Sequence, residues 1–90
     1  MMRVAREVVI ANRRGLHARA SARFVTLAST LPVEVRVEKD GHSVTGTSIM
    51  GLMMLGAAIG DTVTISAQGE DAQAAVDAAC ALVEDKFGED

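Results

Sequence analysis

The spacing of apolar residues constrains this chain most, because it switches between two periods from one short stretch to the next. Residues 33–38 alternate strictly, with Val33, Val35 and Val37 separated by Glu34, Arg36 and Glu38. Residues 62–67 do the same with Val63, Ile65 and Ala67. A period of two predicts a strand with one buried face. In residues 18–31 the apolar positions are Ala20, Phe24, Leu27, Ala28 and Leu31. Steps of three and four place them on one stripe of a helix, with Arg19, Arg23, Thr26 and Thr30 opposite. Pro32 ends that stretch because it has no N–H to continue the ladder. Residues 70–87 carry a second such stripe, Ala72, Ala75, Val76, Ala79 and Val83. Glu70 and Asp71 suit the positive end of that helix.

The remaining stretches fall between these. Residues 3–11 are rich in β-branched side chains around Val8, Val9 and Ile10, and Asn12 to Gly15 break the strand they predict. Asp40-Gly41 is a tight-turn pair, and residues 42–45 read as the return strand of a hairpin. Residues 48–55 read as a short apolar helix and residues 56–60 as a loop. The predicted order is β-α-β-β-α-β-α. Strands with one apolar face and helices with one apolar stripe must cover each other. The expected fold is therefore α+β. It is an open-faced sandwich in which three helices cover one face of a four-stranded antiparallel sheet. Residues 1–90 make one domain.

Composition removes several functions. Tryptophan and tyrosine are absent and phenylalanine occurs twice, which leaves no stacking platform for single-stranded nucleic acid. The net charge of −3 is also unlike a general nucleic-acid binder. One cysteine, Cys80, and two separated histidines offer no metal cluster, so no metal and no cofactor are expected. Cys80, among alanines of the last helix, reads as a small buried filler. His42, after the turn, reads as exposed. No stretch approaches the ~20 apolar residues of a membrane span or forms a secretory h-region. A soluble cytoplasmic monomer with no membrane insertion is expected. The charge is unevenly spread, however. Residues 1–36 hold seven arginines against two glutamates, and residues 37–90 hold two lysines against ten acids.

The basic half contains the most informative stretch, Asn12-Arg13-Arg14-Gly15-Leu16-His17-Ala18-Arg19. His17 stands where the first helix begins. The first turn of a helix leaves N–H groups unpaired, and with the helix dipole these attract anions. The Arg19 guanidinium adds donors suited to phosphate oxygens. A neutral imidazole is a nucleophile at ordinary pH. Position alone fits two readings, a surface or capping histidine and a phosphoryl acceptor. No carboxylate neighbours His17 in the sequence to orient it, which disfavours general acid–base catalysis.

Gly15-Leu16-His17-Ala18-Arg19 resembles the active-centre signature of the HPr family. These are the phosphocarriers of the bacterial phosphoenolpyruvate-dependent phosphotransferase system. Ser48-Ile49-Met50-Gly51-Leu52-Met53-Met54-Leu55 is similar to the family's second landmark, a regulatory serine and the apolar helix after it. Length and element order fit as well. The resemblance implies that His17 accepts a phosphoryl group on Nδ1 from phosphorylated enzyme I. It implies onward transfer to an EIIA-type acceptor, with Arg19 stabilising the phosphate. Such a protein is a carrier rather than an enzyme. Ala18, Ala20 and Arg23 beside the histidine, and Met50 and Met54 on the short helix, are candidate binding residues. Ala20 departs from the proline that the family usually has there, a variation seen in nitrogen-branch (NPr) regulatory carriers.

Ser48 at a helix start reads as an N-cap. By resemblance it is also a regulatory target of an HPr kinase/phosphorylase. In the short helix, Ile49, Leu52 and Met53 are expected in the core, with Met50 and Met54 toward partners. An acylphosphatase-like hydrolase, another small α+β protein, would need a glycine-rich phosphate loop before an arginine, and none is present.

Overall fold

A computed structural model describes residues 2–89. Strand β1 (Arg3–Val9) leads to helix α1 (Ala18–Ala28). The hairpin β2 (Arg36–Lys39) and β3 (His42–Thr45) follows, then α2 (Ile49–Met54), β4 (Thr62–Gln68) and α3 (Ala72–Glu84). A single 3-10 turn, Lys86–Gly88, comes after α3. The element order is the one expected. The sheet runs β1-β4-β2-β3, and every pairing is antiparallel.

Period-two patterning decides which face is covered. Val8 pairs with Val63, Val4 with Ala67, and Val37 with Ile65, so the apolar side chains of three strands meet on one face. Val8, Val37, Val63, Ile65 and Ala67 are all buried there. The helices pack on this face, with Phe24 from α1, Leu52 from α2, and Val76 and Val83 from α3 in the same core. Asp40 and Gly41 both have positive φ, 53° and 83°, the backbone a two-residue hairpin turn needs. Arg6 of β1 reaches Glu84 (3.2 Å) and Asp77 (3.8 Å) on α3.

Several boundaries differ from expectation. The first strand ends at Val9, although Ile10 stays tied to the chain just before β4 through Asp61 O and Gly60 N, both at 2.8 Å. Helix α1 stops at Ala28 because the next turn tightens. Thr30 N bonds Leu27 O, and the Ser29 and Thr30 hydroxyls take the carbonyls of Val25 and Leu27. Val33 and Val35 keep their alternation but lie before the ladder, and Val35 O accepts from Gly46 N at 2.7 Å. Helix α3 ends at Glu84 rather than reaching Phe87.

The short helix corrects another expectation. Ile49 and Met53 are exposed (41 % and 40 %), and Leu52 is the residue of this helix that is buried, with Leu55 at its C-cap beside it. A helix of this length packs one row against the core, and here the row is 52 and 55. Cys80 is buried and His42 exposed, as expected.

Candidate functional site

The site begins at a glycine. Gly15 has φ +62°, and a Cβ there would lie 2.2 Å from Ala57 O. The chain can therefore turn tightly against residues 57–58, and Leu16 N donates to Ala57 O at 3.0 Å. This turn delivers His17 to the N-cap of α1. Its extended backbone (φ −74°, ψ 179°) starts the helix, and its carbonyl accepts from Ser21 N at 2.9 Å. The imidazole does the capping, with Nδ1 accepting from Arg19 N at 3.3 Å. The N–H groups of Ala18 and Ala20 have no intrahelical acceptor, as in any first turn.

The other ring nitrogen meets a carboxylate. His17 Nε2 lies 2.7 Å from Glu89 Oε2, and the two side chains are 15 % and 17 % exposed. Glu89 Oε1 accepts from Asn12 Nδ2 at 3.0 Å. The same Asn12 amide donates to Gly15 O at 2.8 Å. Asn12 is fully buried, and its Oδ1 has no partner among the described residues. The Asn12 hydrogen bond is the main cause that holds the Glu89 carboxyl below its ordinary range. Partial burial opposes it, while the His17 hydrogen bond and the charges of His17 and Arg23 reinforce it.

Glu89 arrives there through an unusual backbone. Lys86, Phe87 and Gly88 have φ of 58°, 55° and 76°. A left-handed conformation costs an L residue about 1–2 kcal/mol. Burial of Phe87, 0 % exposed, offsets that cost, as does the bond from Arg23 Nη1 to the Phe87 carbonyl. Arg13, Arg14, Arg19 and Arg23 then line an open cleft of about 360 Å³ with Gly88 and Glu89.

The sequence-derived residues divide accordingly. Arg19 and Arg23 line this cleft, and His17 adjoins it through its contact with Glu89. Ala18 is exposed beside it. The Ala20 side chain is fully buried, which leaves its N–H as the group that can meet a ligand. Met50 and Met54 are exposed at 67 % and 80 % on α2. Ser48 is the N-cap of α2, with Oγ accepting from Gly51 N at 3.0 Å. Asn12 and Glu89 are the contacts of His17 and its loop that sequence reasoning missed. Asn12 stands in the informative stretch, where its residue type signals only a strand break. Glu89 had no local signal, being 72 positions from His17.

Chemically, the arrangement offers a nitrogen lone pair among unpaired N–H groups and guanidinium charges. That environment stabilises phosphate. Residues 4–85 match the family described as the PTS HPr component phosphorylation site. The chain is 48 % identical over 84 residues to the phosphocarrier protein HPr of Cupriavidus necator, covering 93 % of this chain and 94 % of that one. It is 42 % identical over 89 residues to the phosphocarrier protein NPr of Shewanella violacea, covering 99 % and 98 %. A crystal structure of HPr-C-His from Thermoanaerobacter tengcongensis matches it with a TM-score of 0.87 at 44 % identity, over 100 % of this chain and 99 % of that one. A helix-capping histidine beside a basic cleft and full-length likeness to phosphocarriers agree, and the chain belongs to the HPr family.

Proposed function

We infer that His17 is the phosphoryl acceptor, through Nδ1, and that Arg19 steadies the phosphate. The observation that carries this reading is the capping geometry. Nδ1 accepts from Arg19 N, so a phosphoryl group on that atom lies against the N–H groups of the first turn. The donor is phosphorylated enzyme I, and the acceptor is an EIIA-type protein in the cytoplasm. The protein acts as a monomeric carrier through a covalent phosphohistidine, with no cofactor, and borrows its catalysis from the partners it visits. The arginine cleft suits acidic docking surfaces, since complementary charge speeds encounter. Exposed Met50 and Met54 supply adaptable apolar contact to the same partners. Ser48 is the regulatory residue. A phosphate there adds about −1.5 to −2 charges beside that apolar patch.

A second branch assignment has its own support. The likeness to an NPr extends over 99 % of this chain, and Ala20 leaves the helix start an N–H that proline would remove. The same His17 chemistry then serves regulation rather than sugar uptake.

The test is incubation with phosphoenolpyruvate and catalytic enzyme I, followed by phosphorus NMR. An acid-labile, base-stable signal that disappears in His17→Ala is expected. No signal, or one that persists in that variant, overturns the assignment.

A further inference from the structure

Two separate hydrogen bonds demand the same protonation of His17. Nδ1 accepts from the Arg19 N–H, so that atom carries a lone pair. Nε2 faces Glu89 Oε2 at 2.7 Å, and a carboxylate held ionised is an acceptor only, so Nε2 carries the proton. Glu89 is itself fixed from the far side, where Oε1 accepts from Asn12 Nδ2. The amide of Asn12 cannot turn over without setting its oxygen against Gly15 O and Glu89 Oε1, both acceptors. Buried Phe87 and its bond from Arg23 anchor the segment that carries Glu89.

We propose that Glu89, held by Asn12, is a positioning residue for phosphoryl transfer that keeps the proton on His17 Nε2 and the lone pair on Nδ1. The proposal rests on His17 as the acceptor. In the step, the Nδ1 pair forms the new P–N bond. The bond from phosphorus to the donor breaks, and its electron pair stays with the donor. The Nε2 proton does not move. The positive charge gained by the His17 ring faces the Glu89 carboxylate, and onward transfer returns the ring to neutrality.

Glutamine cannot replace this residue. One carboxylate oxygen serves Asn12 and the other serves Nε2–H, whereas an amide has a single oxygen. In Glu89→Gln the amide oxygen turned to Asn12 leaves an NH₂ against Nε2. That arrangement drives the ring proton onto Nδ1, the nucleophile.

The test uses the full chain with Glu89→Gln and Glu89→Ala. Long-range proton–nitrogen NMR reads the tautomer of the unphosphorylated protein. Wild type is expected to show the Nε2–H form, and both variants a growing share of Nδ1–H. The rate of phosphoryl acceptance from enzyme I should fall about tenfold in Glu89→Gln with KM held. That loss is far smaller than a buried triad carboxylate gives, because this contact is partly open to water. An unchanged tautomer overturns the proposal, and so does an unchanged rate. If wild type itself takes no phosphate from enzyme I, the carrier reading fails first. The tautomer measurement is independent of enzyme I and keeps the two failures apart.

Discussion

Two glycines have nearly the same positive φ and differ in surroundings, which isolates how the histidine loop is held. Gly15 has φ +62° and Gly56 φ +65°. A Cβ on Gly56 meets nothing within 4 Å, while one on Gly15 lies 2.2 Å from Ala57 O and 2.9 Å from Ala58 Cα. Gly56→Ala therefore costs only the left-handed penalty less the entropy that alanine removes from the unfolded chain, a net of about 1 kcal/mol. Gly15→Ala carries that cost and also forces residues 57–58 away. The Leu16 N–Ala57 O bond breaks, leaving a buried amide unpaired, for about 2 kcal/mol more. The expected total is about 3 kcal/mol. With a urea slope of about 1 kcal/mol/M for a domain of this size, the unfolding midpoint should fall by about 1 M in Gly56→Ala and about 3 M in Gly15→Ala. Because Asn12 is hydrogen-bonded to the carbonyl of Gly15, Gly15→Ala should also slow phosphoryl acceptance, and Gly56→Ala should not. Equal midpoint shifts in the two variants would refute the close-approach argument.

Four further outcomes follow from the same geometry. The Glu89 carboxyl is held below its ordinary value of 4.5, first by Asn12 and then by His17 and Arg23. The tail contact therefore stabilises the fold above pH 4.5 and is lost as pH falls through the lowered value. A carbon-NMR titration of Glu89 should show a midpoint below 4.5, and one at or above it counts against the contact. Ser48→Ala should cost about 1 kcal/mol of stability by removing a helix cap. Ser48→Asp should keep the fold while slowing acceptance from enzyme I, and a wild-type rate would sink the regulatory role. Met54→Glu at an 80 % exposed site should change stability by under about 0.5 kcal/mol yet raise the KM for enzyme I. An unchanged KM would remove α2 from the docking surface.

How much was legible in the sequence depended on whether the signal was periodic. Alternation at Val35 and Val37 and at Val63, Ile65 and Ala67 identified both the strands and their buried face, because each strand is covered on one side. It did not reveal that Val33 and Val35 precede the ladder, since alternation reports burial and not pairing. The stripe logic failed at Phe87 for a related reason. Val83 and Phe87 are four apart, so a continued helix and a chain folded back after Glu84 both bury the two side chains. Only left-handed φ at Lys86 and Phe87 separates the alternatives, and no residue type there announces it. In α2, Ile49, Leu52 and Met53 have helical spacing, but so do Leu52 and Leu55. Composition gave no reason to prefer the second row.

The carboxylate beside His17 also changes what the charge pattern means. The chain's net −3 hides an arginine cleft, yet the cleft contains Glu89 as well. Four guanidinium groups and the unpaired N–H groups of the α1 start attract a phosphoryl group, and a carboxylate across the ring repels it. A site of arginines alone would hold phosphate tightly and release it slowly. A carrier needs gain and loss of the group to be nearly balanced, because any interaction that favours acceptance is lost again on delivery. Through Nε2, Glu89 stabilises the charged ring of the phosphorylated form. Through space, it opposes the phosphate. These two effects partly cancel in the equilibrium, whereas control of the tautomer acts on the rate of both steps. On this reading the tail contributes to speed in both directions more than to affinity.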